Sequence, residues 1–78
     1  MSNQTEDIQR ILAREDAEYG QWVDEHHRCE ERLTALASKA EVSTDEEMEE
    51  KTLKKRKLQL KDQMSARIRE HSSANATA

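Results

Sequence analysis

Tyr19, Trp22, His26, Cys29, Leu33, Leu36 and Ala40 follow one another at alternating intervals of three and four residues. This spacing returns one side chain to the same side of an α-helix at every turn, the seam of a coiled-coil-like pairing, whereas a strand face repeats every second residue. A second stripe with the same rhythm runs through Leu53, Lys57, Leu60, Met64, Arg67 and His71, with Ile68 beside it. The chain also lacks what would interrupt helices. It has no proline, its single glycine is Gly20, and its few β-branched apolar residues (Val23, Val42, Ile8, Ile11 and Ile68) never alternate as a strand requires. An all-α fold without a sheet is predicted.

The stripes are separated by Ala40-Glu41-Val42-Ser43-Thr44. Ser43 followed three residues later by Glu46 is a capping box: the hydroxyl accepts from a first-turn N–H while the carboxylate accepts from the Ser43 N–H. The chain therefore reads as a single domain with helix 1 over about 5–40, a turn at 41–43 and helix 2 over 44–71. Residues 72–78 carry neither charge nor periodicity and are predicted to be a disordered tail. Helix 1 has a candidate break near 14–20, with Gly20 as the weak point. Ile8, Ile11 and Leu12 either extend it or form a short N-terminal helix of their own.

Doubling back about residue 43 tests whether the two stripes fit each other, because both helices rise by about 1.5 Å per residue. Leu33 then faces Leu53, His26 faces Leu60, Trp22 faces Met64 and Glu15 faces His71. The expectation is two long antiparallel helices forming a coiled-coil-like hairpin, with Tyr19, Trp22, His26, Cys29, Leu33, Leu36, Leu53, Leu60, Met64 and Ile68 in the seam. The same register sets Cys29 against Lys57 and Leu36 beside Glu50, so the core is thin and depends on lysine and glutamate stems to cover it. Met48 and Leu58 fall off the seam. With Val23, and with Trp22 at the seam itself, they are the candidate partner surface. A core in 78 residues yields roughly 3–5 kcal/mol, so a second contact surface is expected.

Net charge is −4, and its order is more informative than its sum. Glu41, Asp45, Glu46, Glu47, Glu49 and Glu50 precede Lys51, Lys54, Lys55, Arg56, Lys57 and Lys61. Carboxylates in the first turns of helix 2 complement the helix macrodipole, and Glu47 with Lys51 and Glu50 with Lys54 are favourable i,i+4 pairs. Lys54, Lys55, Arg56 and Lys57 form a candidate basic patch for phosphates, but consecutive residues point in four directions on a helix and no aromatic is interleaved. A solvated, salt-bridged face is the preferred reading, with a nucleic-acid-associated regulator as the alternative.

Chemistry finds little to work with. His26 and Cys29 share a helical face, but a structural zinc takes four ligands and the register offers only Leu60 and Lys57 opposite, so no metal and no cofactor is expected. Cys29 is the only cysteine, which excludes an internal disulfide, and it reads as a small seam residue rather than a reactive thiol. No Ser/His/Asp grouping, glycine-rich phosphate loop or paired-carboxylate pocket occurs, so no catalytic residue, enzymatic activity or small-molecule substrate is expected. No apolar run reaches the roughly 20 residues that span a bilayer. Together with the lack of a signal peptide, this points to a cytoplasmic protein.

Glu25-His26, Ser43-Thr44-Asp45-Glu46 and, above all, Leu53-Lys54-Lys55-Arg56-Lys57-Leu58-Gln59-Leu60-Lys61-Asp62 resemble the YdcH-like family of short bacterial proteins, a domain of unknown function. The resemblance covers roughly residues 12–70. It implies an α-helical hairpin and brings no catalytic residues with it. The family turn usually reads Leu-Thr-Pro-Glu, and here Thr44 stands in the place of the proline, which leaves the first helical residue less pre-organised. The function expected from all of this is non-enzymatic: a protein–protein interaction or self-association module, with a protein partner or a second copy as ligand.

Overall fold

The computed structural model describes residues 4–76, with side chains described through Ser72. It is all-α: α1 spans Gln4–Glu15, α2 Ala17–Ala37 and α3 Thr44–Ala76, with no strand among the described residues. At about 1.5 Å per residue, the 33 residues of α3 account for nearly all of the molecule's 54 Å length.

The break in the first half falls at Asp16. This residue leaves the helical region (φ −108°, ψ 105°), and its Oδ1 accepts from the Tyr19 N–H at 3.0 Å, capping α2. Its own N–H still donates to the Leu12 carbonyl at 2.8 Å, so α1 closes and α2 opens on one residue. Gly20, the predicted weak point, lies inside α2. Aspartate interrupts the helix because its carboxylate can replace a backbone acceptor, whereas glycine supplies no such group. Residues 4–15 thus form a separate helix rather than a continuation of helix 1.

α1 presents Ile8 and Leu12 on one face, and both are buried with Tyr19 in a cluster against which Trp22, Val23, Met64 and Ile68 pack. Side chains from all three helices meet there. Farther along, Cys29, Leu36 and Leu60 are buried, with Leu33 and Leu53 half-buried between them. Ion pairs run along the flanks of the α2–α3 contact. Arg56 Nε and Nη2 donate to the two carboxylate oxygens of Glu25 at 2.6 and 2.8 Å. Arg32 grips Glu49 in the same bidentate way at 2.8 and 2.9 Å. Arg67 reaches Glu18 at 2.6 Å, and also Asp16. Partners therefore rise along α2 as they fall along α3. The predicted meeting of Glu15 with His71 is replaced by these Arg67 pairs, because the turn at Asp16 carries Glu15 away from the line of α2.

The link between α2 and α3 is longer than the predicted 41–43. α2 ends at Ala37, where the Ser38 hydroxyl donates to the Ala35 carbonyl at 2.9 Å and the Lys39 N–H donates to Leu36 at 3.2 Å, so the last carbonyls are satisfied by tightened bonds. Ala40, the last residue of the predicted stripe, is exposed in this link. α3 then starts on a reciprocal cap. Ser43 Oγ accepts from the Glu46 N–H at 3.1 Å, and Glu46 Oε1 accepts from the Ser43 N–H at 3.0 Å. At the other end the helix continues past His71 to Ala76, where a disordered tail was expected. Once a long helix is nucleated, each added residue costs little, and Ser-Ser-Ala-Asn-Ala contains no breaker. Thr77 and Ala78 lie outside the described residues.

Two substitutions measure these features. A Cβ added at Gly20 would lie 3.5 Å from the Ala13 carbonyl oxygen, an ordinary van der Waals contact, so Gly20→Ala should stabilise the chain by about 0.5–1 kcal/mol in chemical denaturation. Leu12→Ala should cost about 2–5 kcal/mol by opening the three-helix cluster, a loss comparable with the whole stability of so small a core.

Candidate functional site

The predicted seam residues are all withdrawn from solvent. Tyr19, Cys29, Leu36 and Leu60 are buried, and Trp22, His26, Leu33, Leu53, Met64 and Ile68 are half-buried. His26 Nδ1 lies 2.8 Å from a Glu30 oxygen, one helical turn away. Among the described residues no cluster of three or more His, Cys, Asp or Glu side chains could hold a metal ion. The buried position of Cys29 leaves its thiol screened from solvent.

The candidate partner surface divides. Met48 is 63% and Leu58 59% exposed on α3, whereas Val23 packs into the three-helix cluster. Trp22 is likewise engaged: its ring meets Tyr19 edge-on at 6.3 Å, and the Arg67 guanidinium lies 4.8 Å above it, a cation–π contact. Val23 and Trp22 are covered because α1 folds over them, an outcome that the spacing of residues 19–40 does not encode. A signal for it was present upstream: Ile8, Ile11 and Leu12 at i, i+3 and i+4, followed by a capping aspartate. Ile11, 41% exposed, is the third large apolar side chain on the surface.

The basic block is dispersed in the same way. Arg56 is committed to Glu25, and Lys54 bonds Glu50 at 3.0 Å. Among the described residues no carboxylate lies within ion-pair distance of Lys51, Lys55, Lys57, Lys61 or Arg69. The chain is strongly polarised: residues 1–50 hold 15 carboxylates against 5 cations, and residues 51–78 hold 8 cations against 2 carboxylates.

Leu58 stands at the edge of an open groove of about 570 Å³ between α2 and α3. Glu30, Leu33, Thr34 and Ala37 line it from α2, and Glu50, Lys54, Lys57, Leu58 and Lys61 from α3. The groove combines apolar side chains with three lysines on one wall. A second open groove of about 640 Å³ lies between α1 and α2, where Glu6, Gln9, Arg10 and Ala13 face Val23, His26, His27 and Glu30. No helix among the described residues is long and apolar enough to cross a membrane.

The carboxylates beside the α2–α3 contact are tuned by their partners. Arg56 holds Glu25 below its ordinary range, and Arg32 does the same for Glu49. Asp16 is lowered first by the Tyr19 N–H and then by Arg67. Glu46 is pulled furthest, from 4.5 to about 2, by the Lys39 ammonium and then by the Ser43 N–H. All of these are structural bonds at helix ends and flanks, and none is aimed into either groove.

The fold and surface define a small, helical, open-grooved protein with charged flanks and an exposed apolar edge. The chain belongs to the family described as protein of unknown function (DUF465), which matches residues 22–68 and includes the YdcH-like proteins. No curated protein and no solved structure matches it.

A carboxylate whose folded pKa is depressed stabilises the fold above its unfolded pKa and loses that effect as pH falls through the folded value. Stability to urea should therefore decline as the pH is lowered from about 4.5 towards about 2. Glu46→Gln should flatten the decline over that window while lowering stability at neutral pH, and an unchanged pH profile would remove Glu46 from the account.

Proposed function

We propose that this chain is an antiparallel helical hairpin, α2 against α3 in coiled-coil-like packing with α1 closing the open end, and that it acts as a non-enzymatic module for binding protein. The observation that carries this reading is the exposure of Leu58 at the edge of an α2–α3 groove containing Leu33 and Ala37. A large aliphatic side chain held on a rigid helix beside an apolar groove is an anchor for a partner helix. The reversed order of the Glu18, Glu25 and Arg32 partners along α3 supports the hairpin. Both grooves lie open to solvent, which favours docking over chemistry that must exclude water.

A second reading, a regulator that touches nucleic acid, draws on the cations of α3 that no carboxylate neutralises. Against it, Arg56 and Lys54 are already occupied, and neither aromatic residue of the chain, Tyr19 or Trp22, lies on that face to stack a base.

Two experiments test these readings. For the hairpin, Arg56→Glu should destabilise the chain and Glu25→Arg added to it should restore part of the loss, whereas independent effects of the two changes would break the proposed pairing. For the binding surface, Leu58→Ala should weaken protein binding by roughly thirtyfold, as expected for an anchor residue. The double change Lys55→Glu and Arg69→Glu should leave most of that affinity in raised salt. If the chain instead binds RNA at low salt, and the double change abolishes that binding while Leu58→Ala leaves it unaltered, the nucleic-acid reading takes its place.

A further inference from the structure

We infer that the partner bound at the α2–α3 groove is a second copy of the chain, laid antiparallel along α3; this deepens the hairpin reading and rests on it. The observation is a line of charge on α3. Glu47, Glu50, Lys54, Lys57 and Lys61 follow one another at intervals of three, four, three and four residues, which places them on one stripe of the helix. Both carboxylates precede Lys54, and two lysines follow it. Such a stripe complements itself when reversed. A twofold axis through Lys54 brings Glu47 opposite the partner's Lys61 and Glu50 close to the partner's Lys57, and the same pairs recur on the other side of the axis.

The state of these side chains in the single chain supports the pairing. Along the α2–α3 contact, Glu18, Glu25, Arg32, Glu49, Arg56 and Arg67 all have ion-pair partners. On the stripe that borders the groove, the side chains of Glu47, Lys57 and Lys61 have none among the described residues. The like charges that meet at the axis are moderated, because each Lys54 is bonded to Glu50 of its own chain at 3.0 Å.

Reversal also gives Leu58 a place. It lies four residues beyond the axis and therefore faces the level of position 50 on the other copy. Glu50 shares its groove with Leu33 and Ala37. Each Leu58 would thus enter the groove of the other copy over Leu33 and Ala37, so that two grooves are filled by one symmetric contact. The product is a four-helix arrangement of two α2–α3 pairs, which adds apolar burial that one small core lacks.

Sedimentation equilibrium with charge-exchanged variants tests the inference. The wild-type chain should be dimeric at about 100 µM. The variant with Glu47→Lys and Glu50→Lys and the variant with Lys57→Glu and Lys61→Glu should each dimerise at least roughly tenfold more weakly, the combined effect of four exposed pairs across the twofold. Mixed in equal amounts, the two variants should form a heterodimer, a recovery that misfolded chains would not show. Leu58→Asn should leave a folded monomer by circular dichroism. A wild-type monomer overturns the inference, as does a dimer indifferent to both charge exchanges and to Leu58→Asn. If that monomer still shows coupling between Glu25 and Arg56, self-pairing alone has failed; if the coupling is also absent, the hairpin reading fails with it.

Discussion

Asp16 is the joint on which the rest of the tertiary structure depends. One extended residue ends α1, and its carboxylate begins α2 by accepting the Tyr19 N–H. The change of direction lets Ile8 and Leu12 return over Tyr19, Trp22 and Val23, so that α1 closes one end of the molecule. Arg67 from α3 bonds the same carboxylate and lies over the Trp22 ring. A single side chain thereby ties the break in the backbone to the helix packed against it. Had the first half continued as one helix, Ile8 and Leu12 would have extended along the line of α2 and the cluster would be absent.

Away from that cluster the molecule is held by modest means. Cys29, Leu36 and Leu60 are its buried side chains there, and the contact is flanked by bidentate Glu25–Arg56 and Arg32–Glu49 pairs. Solvent-accessible pairs of this kind each contribute only tenths of a kcal/mol to about 1 kcal/mol, less than one buried leucine. Their greater value is in register, because a one-turn slip would set Glu25 against Leu53 or Gln59 and take Arg56 away from its carboxylate. The acidic start of α3 acts on the helix itself: Asp45, Glu46 and Glu47 lie at the positive end of a 33-residue helix and stabilise its first turn.

The functional reading follows from what this economy leaves outside. A core so small leaves Leu58 and Met48 on the surface of the same helix that supplies Leu60, Met64 and Ile68 to the interior. The cations of α3 sort by angle in the same way. Arg56 and Arg67 turn inward to carboxylates, while Lys57 and Lys61 stand beside an open groove. Family membership adds no function to this reading, since the family is itself described as one of unknown function.

The sequence by itself determined the helical class, the capped start of α3 and the residues that could line a helix contact. All three are local properties: periodicity, the absence of proline, and a serine three residues before a glutamate act within one or two turns. It did not reveal that Asp16 rather than Gly20 breaks the first half, nor that α2 stops at Ala37 and α3 runs to Ala76, because helix ends are settled by competing bonds of similar strength. Tertiary structure alone decided that Val23 and Trp22 are covered by α1 while Leu58 remains free, and that Arg56 leaves the basic block to hold Glu25. Helical spacing says which side chains share a face; what lies against that face depends on where the rest of the chain travels, and a single aspartate sets that path.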